Sequence, residues 1–377
     1  MKIQRNAKSN GLLRRFTIGA AAAAWLSLSI DMGCSALLAD QPVTSNDVEG
    51  ISIAFQLQSL TEHDQQPVVT AMCISPDNRL LAAAGDDHAV RIIDLATQGT
   101  LQTLIAHTDW VQAVEFSHDG RSLVSVGNDR TVRIWDRVTN ELDSQWQPTL
   151  AYTADNALYT VTIHPDNDRI AFSGFGPTMW VYSRSSGSVV DTHTCDCHDQ
   201  RILRYIHDGE QLACGGRDGV VRIWETETHR EIATLPLHRS RIRGMVFSKN
   251  ESIVSTVAED RRLIRYDLLT DTKLLDERLV GGKLYSLAHV DSQLLGIGSS
   301  DNTLRLFSLV ENVEVARLIG HEGTVDVLCV SDSKIVSGSH DTKIRVWDIS
   351  KTWEEKTQII STTTANTLSN PQEPKIR

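Results

Sequence analysis

Between residues 51 and 350 the chain alternates apolar and polar side chains in short runs rich in Val, Ile and Leu, such as VQAVEF at 111–116 and TVRIWD at 131–136. A period of two is that of a half-buried β-strand, where successive side chains point to opposite faces. Turn signals divide the runs: SPDN at 75–78, SHDG at 117–120, HPDN at 164–167 and HDG at 207–209. Such clusters of Ser, Pro, Asp, Asn and Gly reverse the chain between strands. No long helical periodicity interrupts the stretch, so the pattern predicts an all-β fold.

The pattern also repeats. The segment running from His107 through VQAVEFSHDG and RSLVSVGND to Asp136 has counterparts that begin at His238 and at His321. Aspartates 87, 129, 218, 260, 301 and 341 hold the same place in their units, and Gly176 fills the seventh, at intervals of 40 to 47 residues. A strand-only unit of this size is a four-stranded antiparallel sheet, and seven of them close radially into a seven-bladed β-propeller. We number the blades one to seven in chain order. Residues 51–60, ISIAFQLQSL, precede His63 as EIATLPL precedes His238 and VARLIG precedes His321. That stretch is therefore expected as the outer strand of blade seven, whose other strands lie at 325–348. An N-terminal strand that completes the last blade leaves no open sheet edge.

These recurrent residues resemble the WD-repeat β-propeller family, over residues 51–350. Blade two carries the pattern in full with His107, Ser125, Asp129, Trp135 and Asp136, and blade seven repeats it with His321, Ser337, Asp341 and Trp347. The resemblance implies a buried tetrad of His, Ser/Thr, Asp and Trp that ties the strands of a blade together. Blade four keeps His198, Asp218 and Trp224 with Cys214 at the hydroxyl place; blade five keeps His238, Thr256 and Asp260 with Tyr266 for Trp. Blade one has His63, Asp87 and Ile93, and blade six has Asp301 and Phe307 with no His. Blade three has Gly176 and Tyr182 at the Asp and Trp places. Blades three and six are thus expected to be the softest. An active site occurs once whereas these residues recur, so they read as structural.

The resemblance further implies a non-catalytic platform that binds one or more proteins or peptides. Partners would meet the face where the loops before the first strand and between the second and third strands emerge. The aligned positions are Asp86, Trp110, Gln112, Asn128, Tyr159, Phe175, Arg201, Arg217, Arg241, Arg243, Glu259, Ser300, Asp326 and His340. Trp110, Tyr159 and Phe175 are aromatic anchors of the kind enriched in binding hot spots. Arg201, Arg217, Arg241 and Arg243 form a positive sector that suits an acidic or aromatic segment, or an anionic envelope polymer. The bland reading is that the arginines pair with nearby acids.

Composition narrows the classes. With 377 residues, 41% hydrophobic and 23% charged, the chain can form a core. A net charge of −11 argues against nucleic-acid binding, which runs on clustered positive charge. Six cysteines are too few for a disulfide scaffold. Cys73 and Cys329 align in the innermost strands of adjacent blades one and seven and are expected as free thiols. The densest polar cluster is DTHTCDCHD at 191–199. Its thiols and imidazoles are soft-metal donors, so His193, Cys195 and Cys197 are weak metal-ligand candidates. The Cys-x-Cys pair is tighter than the usual Cys-x₂-Cys, no second ligand pair stands out, and a haem motif lacks one residue. There is no nucleophile elbow, phosphate-cradling Gly loop or HExxH motif, so neither an enzyme nor a cofactor is expected. The competing reading is a propeller enzyme or metal-binding protein that uses the central channel or the Cys195–His198 cluster.

Residues 1–39 have the layout of an export signal. Lys2, Arg5, Lys8, Arg14 and Arg15 precede the apolar stretch FTIGAAAAAWLSLSI, and Ala36 and Ala39 offer small-residue cleavage positions. The Arg14–Arg15 pair resembles a twin-arginine signal, although Phe16 follows it directly. This predicts a bacterial protein of the periplasm or cell envelope, monomeric, with a mature net charge of −15 after cleavage at Ala39. Membrane contact would come only through an uncleaved N-terminus or a lipid on Cys34. Residues 40–50 read as a linker and 351–377 as a polar, disordered tail.

Overall fold

A hairpin-by-hairpin ladder accounts for nearly every described residue. The structure, a computed structural model, describes residues 47–48, 52–57, 59–60, 65–139, 144–332 and 334–349. The stretch read as an export signal, His63, most of the expected linker and the expected polar tail lie outside them. Seven sheets have four antiparallel strands in sequential order, save at closure and at one added edge strand. Blade two is representative: Val111–Phe116 is innermost, then Ser122–Gly127, Thr131–Thr139 and, outermost, Ser144–Thr153. Among the described residues the sole helical piece is the 3₁₀ turn His207–Gly209, and no helix is long and apolar enough to cross a membrane.

Local chemistry sets the turns. Between the first two strands of blade two, the Ser117 hydroxyl donates to Asp119 Oδ1, which accepts the Arg121 N–H at 3.0 Å. Between the second and third strands, the Arg130 N–H closes a turn on Gly127 O and Arg130 sits at φ 66°. A left-handed residue follows the repeat aspartate in the other blades too: His88, Gly219, Arg261, Asn302 and Thr342. Blade three has Pro177 at that place, whose ring locks φ negative. Gly176 takes the positive φ there instead, at 122°.

Each blade is sandwiched between two neighbours. In the second strand of blade one, Leu80, Ala82 and Ala84 pack into a cluster with Val111, Val114 and Trp135 of blade two. Leu81 and Ala83, on the other face, pack with Val336 and Ile344 of blade seven. Both faces are apolar because both face a sheet, which is why LLAAAG shows no polar alternation. Packing between blades therefore supplies the core.

Closure follows the expected route. Ser52–Gln56 pairs antiparallel with Lys343–Asp348, Ser52 opposite Trp347, so the N-terminal strand completes blade seven. The stretch read as a linker contributes more than a connection. Asp47–Val48 adds a short parallel strand to Val313–Leu318, the outer strand of blade six.

The innermost strands line a central cavity of about 710 Å³. Some of their fifth residues couple blades, adjacent ones through Cys329 and Glu115, and blades two and four through Glu115 and Arg204. Cys329 donates to Met72 O at 3.2 Å, and Glu115 accepts the Ile163 N–H at 3.0 Å and the Arg204 guanidinium at 2.9 Å. Cys73 and Cys329 are free thiols, and burial pushes Cys329 up to about 12.

Candidate functional site

The tetrads hold the loops that shape one end of the channel. In blade two the Trp135 indole donates to Ser125 Oγ at 2.8 Å, and Ser125 Oγ lies 2.7 Å from His107 Nε2. An indole N–H can only donate, so the serine accepts from Trp135 and gives its own proton to Nε2. Nδ1 then carries the ring proton and donates it to Asp129 Oδ2 at 2.8 Å. The same carboxylate accepts the Thr108 and Thr131 N–H groups. Burial acts to raise the Asp129 pKa, but the bond and charge of His107 with these amides outweigh it and hold it at about 2. Blade seven repeats the arrangement through His321, Asp341, Ser337 and Trp347, at 2.7 to 2.8 Å. Blade five keeps His238 on Asp260 and Thr256, while the Tyr266 hydroxyl turns away to Asp271.

Blade four departs from the expected tetrad. His198 is exposed, and its role is to offer its carbonyl to the Gly176 N–H at 2.9 Å. The histidine place belongs to Cys195, whose N–H donates to Pro177 O of blade three just as the His238 N–H donates to Gly219 O. One extra residue between this place and the innermost strand carries His198 out of the blade. Cys195 Sγ stands 3.9 Å from Cys214 Sγ, so two thiols occupy the places of imidazole and hydroxyl. Asp218 is taken instead by Arg222 of its own blade, at 2.6 Å. Blades one and six use the same device: Arg91 on Asp87, and Arg305 on Asp301 with Glu314 at 3.0 Å, both arginines fully buried. Blade six is therefore cross-tied by charge where a histidine is missing; Arg133 and Arg345 stand at the same place in the histidine-bearing blades two and seven, so the spacing alone does not mark the exchange.

The predicted partner face lies at this same end. Trp110 and Phe175, on adjacent blades two and three, are 47% and 52% exposed. Gln112 and Tyr159 line the channel beside them. The arginines form a locked chain rather than a set of free cations. Arg201 stacks over the Tyr159 ring at 3.7 Å and donates to Asp199 at 2.6 Å. Arg241 bridges Asp199 at 2.6 Å and Glu259 at 3.1 Å. Arg243 donates twice to Glu259 and lies over Tyr285 at 4.9 Å, and Lys283 reaches the same carboxylate at 2.8 Å. Burial tends to raise the Glu259 pKa, but Lys283 and Arg243 outweigh it and hold it at about 2. Arg217 is exposed and stands outside the chain. Four cations thus surround two carboxylates across blades four to six, and the mouth keeps a surplus of positive charge there. Across the channel, Asp326 lies 3.8 Å from His340 and raises its pKa.

The sequence missed Tyr285 and Lys283. Both flank the start of the blade-six innermost strand, as Arg241 and Arg243 flank that of blade five, but blade six has no histidine to align on. It also missed Asp199 as a counter-ion, because Asp199 reads as part of the 191–199 cluster. That cluster does not converge. Cys195 faces Cys214, Cys197 Sγ faces Asp199 O at 3.5 Å, and His193 turns to the outer edge of blade three.

Comparison with known proteins agrees with this architecture. The chain is 24% identical over 202 residues to Pre-mRNA-processing factor 19 of Oryza sativa subsp. japonica, covering 52% of this chain and 38% of that protein. It is 28% identical over 222 residues to Periodic tryptophan protein 2 homolog of Mus musculus, 56% of this chain and 24% of that one. Ribosome biogenesis protein ytm1 of Aspergillus oryzae is 32% identical over 138 residues, 34% and 28% of the two chains. The chain spans less than half the length of these relatives. Residues 68–348, all seven blades save the closing strand, match the family described as IFT122 first beta-propeller, and the chain belongs to that family of WD-repeat β-propellers.

Proposed function

We propose that this propeller is a non-catalytic protein-interaction platform that receives its partner on the tetrad-side mouth of the channel. The observation that carries the reading is the exposed pair Trp110 and Phe175 beside the locked cation chain. Half-exposed aromatic rings on rigid turns lose little entropy when covered and supply large apolar area. The surplus of positive charge favours an acidic segment in contact with blades four to six. Relatives named for pre-mRNA processing and ribosome biogenesis, rather than for a reaction, support the non-catalytic reading. The layout of residues 1–39 supports export to a cell envelope, which intact mass of the protein recovered from cells would test through loss of that segment.

The experiment is affinity capture with the full chain as bait. Trp110→Ala with Phe175→Ala removes two exposed rings and leaves every ion pair in place. A control, Leu269→Ser, alters a residue that is exposed on an outer turn. A partner retained by wild type and control but lost by the double variant supports the mouth as the binding face. Equal retention by all three baits, or none above background, overturns it. Reversal of Arg241 or Arg243 to Glu is a poor probe, because it would set a third carboxylate beside Glu259 and Asp199.

A further inference from the structure

We propose that Asp191, His193 and His229 form a site for a divalent transition-metal ion of the zinc class, which clamps the outer edge of blade three to blade four. Asp191 and His193 are two apart in the outer strand Ser188–Thr194, so their side chains share a face. His229 comes from the turn between Val220–Glu225 and Glu231–Pro236 of blade four, held at φ 59° with its N–H on Glu225 O. One donor atom from each of the three residues lies within 4.8 Å of the others. Asp191 Oδ2 is 3.0 Å from His193 Nε2 and 2.9 Å from His229 Nδ1. Ligands of a tetrahedral zinc, bound at about 2.0–2.1 Å, stand about 3.3 Å apart, so a small adjustment opens the triad around an ion.

A second observation points the same way. His193 is buried and its Nε2 has no hydrogen-bond partner, despite its closeness to Asp191. A sealed imidazole nitrogen and a carboxylate oxygen that meet without hydrogen-bond geometry are two donor atoms left available to an ion between them and His229. Around them the groups are already oriented. Asp191 Oδ1 accepts the Thr192 N–H at 2.6 Å, which leaves Oδ2 to the site, and the His193 ring packs against Trp224 and His229. Two imidazoles and one carboxylate suit zinc or a neighbouring transition metal, whereas magnesium and calcium prefer oxygen ligands alone. His229 is exposed, so the ion would enter from solvent and keep at least one water.

The test is calorimetric titration of chelator-stripped full-length protein with Zn²⁺ and, separately, Mg²⁺. One zinc per chain and no magnesium is expected, with a rise in Tm on zinc addition. His229→Ala, on an exposed turn, should leave the far-UV spectrum unchanged and weaken zinc binding by about tenfold or more. Cys197→Ser should bind zinc as wild type does, and the Co²⁺ form should lack thiolate charge-transfer absorption. The proposal is overturned if stripped wild type takes up no zinc, if His229→Ala binds it unchanged, or if Cys197→Ser abolishes binding and so moves the ion to the thiols.

Discussion

The sulfur atoms of Cys195 and Cys214 stand 3.9 Å apart in blade four, at the two places where blade two sets His107 against Ser125. The Cys214 thiol donates to Cys195 and, with the Cys197 N–H, holds the Cys195 pKa at about 7 against the effect of burial; the partnership pushes Cys214 up. Two thiols 3.9 Å apart, one of them with a lowered pKa, are an arrangement that an oxidant can join as a disulfide. Diamide, a two-electron thiol oxidant, is expected to join Cys195 to Cys214, seen as a linked pair in a non-reduced peptide map. A map that leaves both free, or that links Cys195 to Cys197 instead, would contradict this.

Ser125 serves two partners in blade two, whereas Thr256 in blade five serves His238 and has no indole. Ser125→Ala strands both His107 Nε2 and the Trp135 N–H in a buried space, at about 2–4 kcal/mol. Thr256→Ala strands one group and costs about 1–2 kcal/mol. Urea denaturation of the two variants should reproduce that order.

Arg305 is fully buried between Asp301 and Glu314. Its replacement by Leu leaves the Asp301 carboxylate without its cation, while Glu314 keeps Arg317, and about 3–5 kcal/mol of stability should be lost. Adding Asp301→Asn to Arg305→Leu should restore part of it, because the stranded charge is then removed. If the double variant is less stable than the single one, the pair is not what ties blade six.

Acid should weaken the fold late and steeply. Burial opposes ionisation of Asp129, Glu259 and Asp301, yet His107, then Lys283 and Arg243, then Thr303 and Arg305 outweigh it and hold each pKa at about 2. A carboxylate depressed in the folded state stabilises fully above its unfolded pKa and loses that contribution as pH falls through the folded value. For Asp129, nearly sealed from solvent, this amounts to roughly 2 kcal/mol. Urea midpoints should therefore be flat from pH 7 to near the ordinary carboxylate range and drop below it. His107→Gln should flatten the drop.

Legibility in the sequence varied with distance along the chain. Blade count, hairpin positions and the placement of Asp129, Trp135, Asp341 and Trp347 follow from short periodicities and turns, all confined to one repeat. The closing strand was readable because its neighbours in other blades supply a template. His198 was misplaced for the opposite reason: an extra residue before Gln200 shifts the register, and only the Cys195 amide on Pro177 reveals where the chain sits. The arginines and Glu259 were placed on this face, but Asp199 was not found as their counter-ion. Asp199 reaches Arg241 from the neighbouring blade four, a relation that no spacing encodes.

The chain by itself determined a closed ring of seven four-stranded sheets, since alternation, turns and hydrogen-bonding residues act over a few residues at a time. Only the tertiary structure decided which charges neutralise one another and which aromatics stay uncovered. Only there does His229 meet Asp191 and His193. The decisive ones, Arg241 on Asp199, Lys283 on Glu259 and His229 on Asp191, are contacts between neighbouring blades, fixed by how sheets pack face to face, and sequence distance carries no record of that geometry.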